Sequence, residues 1–144
     1  MPSPPKWFTV IAIVALLWNL LGCLAIFADL MIKPEDIIRL SAEQQELYAS
    51  RTWWSTTASM IAVLGGTLGS LGLILRKRWS MPFLFASIFG LIIQDFGLFV
   101  IAKGASLAGT GAIVVQVFVL LIAFGLVALG RTAVKRNWIP KQTT

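Results

Sequence analysis

Apolar residues fill four long stretches of the chain, and polar residues collect between them. The stretches cover residues 7–28, 53–75, 81–102 and 111–129. Each is close to the roughly 20 residues that a helix needs to cross a hydrocarbon core of about 30 Å. Strands of a membrane barrel would instead be about ten residues long with alternating polarity. The pattern predicts an all-α fold, an integral membrane four-helix bundle that forms one transmembrane domain over residues 1–144.

The polar loop at residues 33–51 predicts two short helices of its own. Pro34 suits the first position of a helix, and two acidic residues follow it in the first turn. Ser41 and Gln44 are spaced as in a capping box, which predicts a second short helix ending at Ala49. We expect both helices to lie on the outer surface of the bundle, where their simplest role is a structural lid.

The composition of the chain independently indicates a membrane protein. Hydrophobic residues make up 58% of the chain and charged residues 12%, and the mean hydropathy is +0.85. A soluble domain is about 45–50% apolar and about 25% charged. So few charges cannot cover a surface that faces water. A soluble globular protein is therefore excluded, and the lipid bilayer is the first expected partner.

Charge predicts the orientation in the membrane. The 12 Lys and Arg residues outnumber the 6 acids. Eight of these cations fall beside the N-terminus, in the turn at 76–78 and after residue 129, whereas four fall on the other side. Because cytoplasmic loops are enriched in cations, both termini are expected in the cytoplasm. This distribution explains the positive charge without a nucleic-acid partner.

Tryptophans support the same depths. Trp7, Trp79 and Trp138 fall at the predicted inner face, and Trp53 falls at the outer one. Amphipathic rings favour the headgroup level of a bilayer, so these residues mark the ends of the helices. One other tryptophan, at position 18, is an exception because it lies near the middle of the first stretch.

Small residues recur along one face of the second stretch. Residues of this size let two helix backbones approach closely, which matters because lipid supplies no hydrophobic drive for helix association. The face either packs inside this bundle or meets another membrane subunit or a second copy of the chain. Its members are Ala58, Ala62, Gly65, Gly66, Gly69 and Ser70.

Polar side chains inside the apolar stretches are the candidate site residues. An intramembrane acid costs about 2.5–3.5 kcal/mol on insertion scales, so Asp95 should face the bundle or a wet cavity. We expect Gln116 or Asn19 to hydrogen-bond it. Together with Gln94 and the hydroxyls at 55–59, these residues predict one outward-facing polar pocket. That pocket is either a set of hydrogen bonds that fix helix register or a small-solute or ion site.

Catalytic chemistry is poorly represented. The chain has no His and one Cys, at position 23. The commonest general base and metal ligand is therefore absent, and so is any Ser–His or Cys–His pair. We predict no catalytic residue, no cofactor and no metal site. An intramembrane enzyme would have to rely on Asp95 as its acid or base.

Several segments together resemble a known group of proteins. These are Trp18 to Gly22, Leu40 to Tyr48, Gly65 to Gly69, and Arg76 to Trp79 with Pro82. The resemblance is to small four-helix inner-membrane proteins of proteobacteria, which often bear an automatic "sugar transporter" label. It implies the same topology and helix packing, and it brings no site residues.

Two functions fit these observations. The first is a non-enzymatic accessory or assembly subunit, or a homo-oligomeric module, that acts through helix packing. The second is a small-solute or ion transporter or channel that uses the polar pocket around Asp95. Many transporters contain internal repeats, which this chain lacks, so transport would require an oligomer.

Overall fold

The computed structural model describes residues 3–101 and 109–140, and this part of the chain is entirely helical apart from short turns. Four of its helices are long and apolar enough to span a membrane, which confirms the predicted all-α fold at that level. The elements are α1 (Lys6–Leu30), α2 (Pro34–Ile37), α3 (Ala42–Ala49), α4 (Trp53–Ile74), α5 (Ser80–Phe96), a π-helical segment (Gly97–Ile101) and α6 (Gly109–Lys135).

The largest departures from the predicted bounds are in the last and the third of the long helices. The last helix runs to Lys135, six residues past the predicted end at residue 129. Hydropathy marks where a chain leaves the apolar layer, whereas a helix continues through cations, which are favourable near a helix C-terminus. The third helix turns π-helical at Gly97. The last residue of the predicted third stretch, at position 102, lies outside the described residues.

The loop between α1 and α4 contains both expected helices. Pro34 occupies the first turn of α2. At α3 the Ser41 Oγ accepts a hydrogen bond from the Gln44 backbone N–H at 3.3 Å, and the Gln44 side chain accepts one from the Ser41 N–H at 3.4 Å. This reciprocal pair is the predicted capping box. The Gln45 amide then donates to the carbonyls of Ile38 and Leu40, both at 3.0 Å, so the two short helices are tied together.

The long helices pack in the order α1, α4, α5, α6. The central pair, α4 and α5, meets along a line of very close backbone contacts that we call the seam. A Cβ atom added to Gly65 would lie 2.8 Å from the Phe83 carbonyl oxygen, and one added to Gly90 would lie 2.6 Å from the Ala58 carbonyl oxygen. Only glycine permits such an approach, so small residues set the spacing of the pair.

The residues after α6 fold back onto the bundle. Trp138 and Ile139 are buried, and the Trp138 ring meets Trp7 and Phe8 edge to face at 5.7 and 5.6 Å. The Arg76 Nε donates to the Trp138 carbonyl oxygen at 2.7 Å. Trp138 therefore packs against other side chains at the same end of the molecule as Trp7, whereas its predicted depth at a headgroup interface stays a prediction. This tail clasp brings the start of α1, the α4–α5 turn and the chain after α6 to one end of the molecule.

Candidate functional site

The opposite end of the molecule is held by three polar side chains, the loop clasp. The Tyr48 hydroxyl donates to Asp29 Oδ1, and Arg51 Nη1 forms an ion pair with Asp29 Oδ2 at 2.6 Å. The Arg51 guanidinium also lies 4.7 Å from the centre of the Tyr48 ring. The hydrogen bond to Asp29, followed by burial, raises the pKa of Tyr48 above its ordinary value of 10.0. The clasp ties α3 and the start of α4 to the end of α1.

A cavity of about 370 Å³, the loop cavity, opens beside this clasp. All three clasp residues line it, together with hydroxyl side chains of the first turns of α4. The Thr56 hydroxyl donates to the Thr52 carbonyl at 3.3 Å, and the Ser59 hydroxyl donates to the Ser55 carbonyl at 3.1 Å. Each hydroxyl proton is thereby used within α4, so the oxygens retain lone pairs that can accept hydrogen bonds from a bound molecule.

A second cavity of about 400 Å³, the deep cavity, lies among all four long helices. Its floor is formed by α4 and α5, and its sides are formed by α1 and α6. Most of its lining is aliphatic, with Ala25 and Leu91 among the contributors. Trp18 lines it as well and meets Phe118 of α6 edge to face at 6.4 Å. Both cavities are within the size range of small-molecule sites.

The two cavities share part of their lining. Ile26, Gln94 and Gln116 contribute to both, so the polar space and the apolar space meet at these side chains. The Gln116 Oε1 is shielded from solvent and accepts no hydrogen bond from the described residues. A buried amide oxygen without a donor is unfavourable. The junction of the cavities therefore presents an acceptor that a bound molecule could satisfy.

Asn19 lines the deep cavity, but its amide N–H group already donates a hydrogen bond within the chain. Its Nδ2 donates to the Ala15 carbonyl of the same helix at 2.8 Å. Its Oδ1 lies so close to Gly66 that a Cβ atom on that glycine would overlap it. Asn19 thus packs α1 against α4 at the edge of the cavity.

The structure does not bring Asp95 together with the other predicted pocket residues. Asp95 lines neither cavity, and its two carboxylate oxygens are shielded without a hydrogen-bond partner among the described residues. The expected bonds to Gln116 and Asn19 are not formed. Successive residues of an α-helix point about 100° apart, so when Gln94 faces the cavities its neighbour faces elsewhere. Depth along a helix is readable from the sequence, whereas facing direction depends on how the helix packs.

The six predicted packing residues of α4 are all buried, but they serve two neighbours. Gly65 and Gly69 face α5, where added Cβ atoms would meet Phe83 and Leu84. Gly66 faces Asn19 of α1 and also lies near the Ser87 hydroxyl. That hydroxyl donates to the Ala62 carbonyl at 2.7 Å across the seam. The small-residue face is therefore used within the chain.

Sequence reasoning missed the loop clasp and the deep cavity. The spacing of Asp29, Tyr48 and Arg51 in the sequence does not show that the loop folds back on α1. Trp18 did carry a signal: a tryptophan far from both predicted interfaces needs a polar or aromatic neighbour. Of the hydroxyls at 55–59, Thr57 alone lies outside the loop cavity, and it is exposed.

Comparisons with models of known protein families, with curated proteins and with solved structures found no match to this chain. Within residues 3–101 and 109–140, no three His, Cys, Asp or Glu side chains are placed to hold a metal ion together. The two cavities are therefore the features of this chain that bear on its function.

Proposed function

We propose that this chain is a non-enzymatic, multi-pass protein of a bacterial inner membrane that takes up a small molecule from the outer side, as a transporter or channel does. The observation that carries the proposal is the meeting of the two cavities at Gln94 and Gln116. A polar entrance at one end of the bundle leads there to space between membrane-spanning helices. Sites between the helices of a bundle are a common place for small molecules to bind.

The proposed orientation follows from charge. The tail clasp gathers the start of α1, the α4–α5 turn and the chain after α6. Seven of the 12 cations lie at this end among the described residues: Lys6, the three of the turn at 76–78, and Arg131, Lys135 and Arg136 in the last turns of α6 and just after it. An excess of cations favours the cytoplasmic side, so the loop cavity would open outside. The clasp at Asp29 and the helices α2 and α3 would then surround its entrance at the outer surface of the membrane.

An accessory role is the second candidate. The seam and the contact of Gly66 with Asn19 use the small-residue face inside the chain, so that face is not available to another subunit. A partner would instead have to cover α1, of which only Phe8, Ala12 and Ala15 are buried. Native mass analysis of gently solubilised membranes separates the two functions. Stoichiometric foreign subunits would favour the accessory role, whereas a chain alone or with its own copies would favour transport.

Water access at the junction tests the proposal. In a Cys23→Ala background, Gln94→Cys should react with a membrane-impermeant thiol reagent added outside right-side-out vesicles. The matched control is Ile93→Cys, at the same depth of α5, because Ile93 is 40% exposed and lines neither cavity, so it faces lipid. We expect modification at position 94 only. Equal inertness of both thiols would overturn the proposal, and so would reaction of Gln94→Cys from the cytoplasmic side alone.

A further inference from the structure

The deep cavity is built for an apolar group. Six of the apolar side chains that line it belong to the long helices: Ala25, Leu91, Val119, Ile122, Ala123 and Leu126. Water inside such a cavity would lack most of its hydrogen-bond partners, so apolar cavities of this kind stay dry or hold apolar molecules. A freely soluble polar solute would match the loop cavity but leave the deep cavity without a fitting occupant.

The sides of the deep cavity belong to the two least attached helices. α1 packs on α4 and α6 packs on α5, and few close contacts join α1 to α6 within the described residues. The edge contact between Trp18 and Phe118 lies across this gap. An aliphatic chain could enter between the two helices from the surrounding lipid, without crossing the polar entrance.

The loop cavity suits an uncharged head. Its charged lining consists of Asp29 and Arg51, which form an ion pair with each other. The Ser and Thr oxygens of α4 can accept hydrogen bonds from hydroxyl groups of a ligand. Between the two spaces, the buried Gln116 Oε1 accepts from none of the described groups, so it would favour a ligand with a donor at the base of its head.

We propose that the joined cavities bind one amphiphile from the outer leaflet. Its uncharged, hydroxyl-bearing head occupies the loop cavity, its donor reaches Gln116, and its aliphatic chain occupies the deep cavity between α1 and α6. This inference rests on the proposed function, because it requires that the loop cavity admit a ligand. It goes further by naming the chemical class of that ligand.

Photo-crosslinking of a chain-labelled amphiphile tests the inference. The probe is a monoacylglycerol with a diazirine in its chain, added to the full-length protein in phosphatidylcholine nanodiscs. We expect saturable cross-links to the lining of the deep cavity on α1 and α6. Unlabelled monoacylglycerol should compete. Its diacetylated form has the same chain without hydroxyl donors, and we expect it to compete about threefold less well, as for the loss of one typical intramembrane hydrogen bond.

Two variants identify the site. Ala25→Phe should fill the deep cavity and lower the cross-linking yield about tenfold, because the bulk of the ring takes the space of several chain carbons. The matched control Ala28→Phe lies one turn along the same helix and outside both cavities, and it should leave the yield unchanged. In Gln116→Leu the difference between the diacetylated and the unmodified competitor should become smaller, because one acceptor is gone while the Ser and Thr oxygens of α4 remain.

Three results would overturn the inference. The first is cross-links that do not saturate and that spread over lipid-facing residues, which indicate annular lipid only. The second is an equal loss of cross-linking yield in Ala25→Phe and Ala28→Phe, and the third is equal competition by both competitors in the unaltered protein. If one of these results is found while Gln94→Cys still reacts with the thiol reagent, the amphiphile proposal is overturned but the proposed function is not. An unreactive Gln94→Cys instead removes the proposed function itself.

Discussion

The α4–α5 seam and the space between α1 and α6 are opposite solutions to helix packing in one small chain. Along the seam, glycines bring backbones so close that a Cβ atom on Gly90 would lie 2.6 Å from the Ala58 carbonyl oxygen. Across the bundle, α1 and α6 are separated by a cavity of about 400 Å³. Glycines approach backbone atoms in this way where α4 meets α5, whereas a Cβ atom added to Gly125 of α6 would meet no atom of the neighbouring described residues within 4 Å.

The difference shows how a four-helix membrane protein can be both rigid and open. In lipid, helix association depends on close packing and interhelical hydrogen bonds, since the hydrophobic effect does not distinguish lipid from protein. The seam supplies both, including the bond from Ser87 to the Ala62 carbonyl at 2.7 Å. With α4 and α5 fixed, the flanking helices need not touch each other. They can then leave a site between them that is held at its two ends by the loop clasp and the tail clasp.

The largest effect is expected from a bulky residue in the seam. Gly90→Leu would push its side chain into the backbone at Ala58 and Ala62, and overpacking of this kind typically costs about 1–3 kcal/mol. The control Gly125→Leu adds the same side chain where 4 Å around the Cβ position is open. Thermal unfolding in detergent should show a clear loss for the first and none for the second. Equal stabilities would remove the distinction between a tight seam and an open flank.

A smaller effect is expected at Asp95, which lies outside both cavities. Its carboxylate is shielded without a described partner, so Asp95→Leu should remove a cost and unfold at the same or a higher temperature than the unaltered chain. Asp95→Asn keeps the shape and should also fold. A loss of more than about 1 kcal/mol in the Leu variant, as for a broken hydrogen bond to a partner left buried, would contradict this account.

The smallest effect is expected in the loop clasp and concerns the pKa of Tyr48. This pKa can be measured directly from tyrosinate absorbance, because Tyr48 is the one tyrosine of the chain. The bond to Asp29 raises the pKa of Tyr48, and Arg51 lowers it. Tyrosinate absorbance should therefore titrate at lower pH in Asp29→Asn and at higher pH in Arg51→Gln. Because the folded state favours the neutral phenol, the clasp stabilises the fold below pH 10.0, and this contribution falls as pH rises through the folded pKa. Shifts of the same sign in both variants would show that the clasp is not formed.

The sequence predicted the features that depend on local pattern. Runs of apolar residues gave four long helices, the Ser41 and Gln44 spacing gave the capping box, and small residues gave the buried face of α4. These follow from propensity and periodicity within one segment. They require no knowledge of the neighbouring helices.

Two kinds of feature could not be predicted from the sequence: the direction in which a helix face points, and the points at which the chain folds back on itself. Gln94 and Asp95 are adjacent and equally deep, yet only Gln94 reaches the cavities. The position of Trp138 in the sequence does not show that the chain after α6 reverses and buries this ring against Phe8. Both outcomes are set by tertiary packing, which no single segment encodes.

Two adjacent residues of α4 give the most direct test of the central claim. Ala58 is 4% exposed and lies in the seam, whereas its neighbour Ser59 lines the loop cavity at almost the same depth. In a Cys23→Ala background, we would measure the rate at which an impermeant thiol reagent, added outside right-side-out vesicles, modifies Ala58→Cys and Ser59→Cys. The account predicts rapid modification at position 59 and none at position 58. Equal rates at the two positions, or reaction at 58 alone, would contradict it.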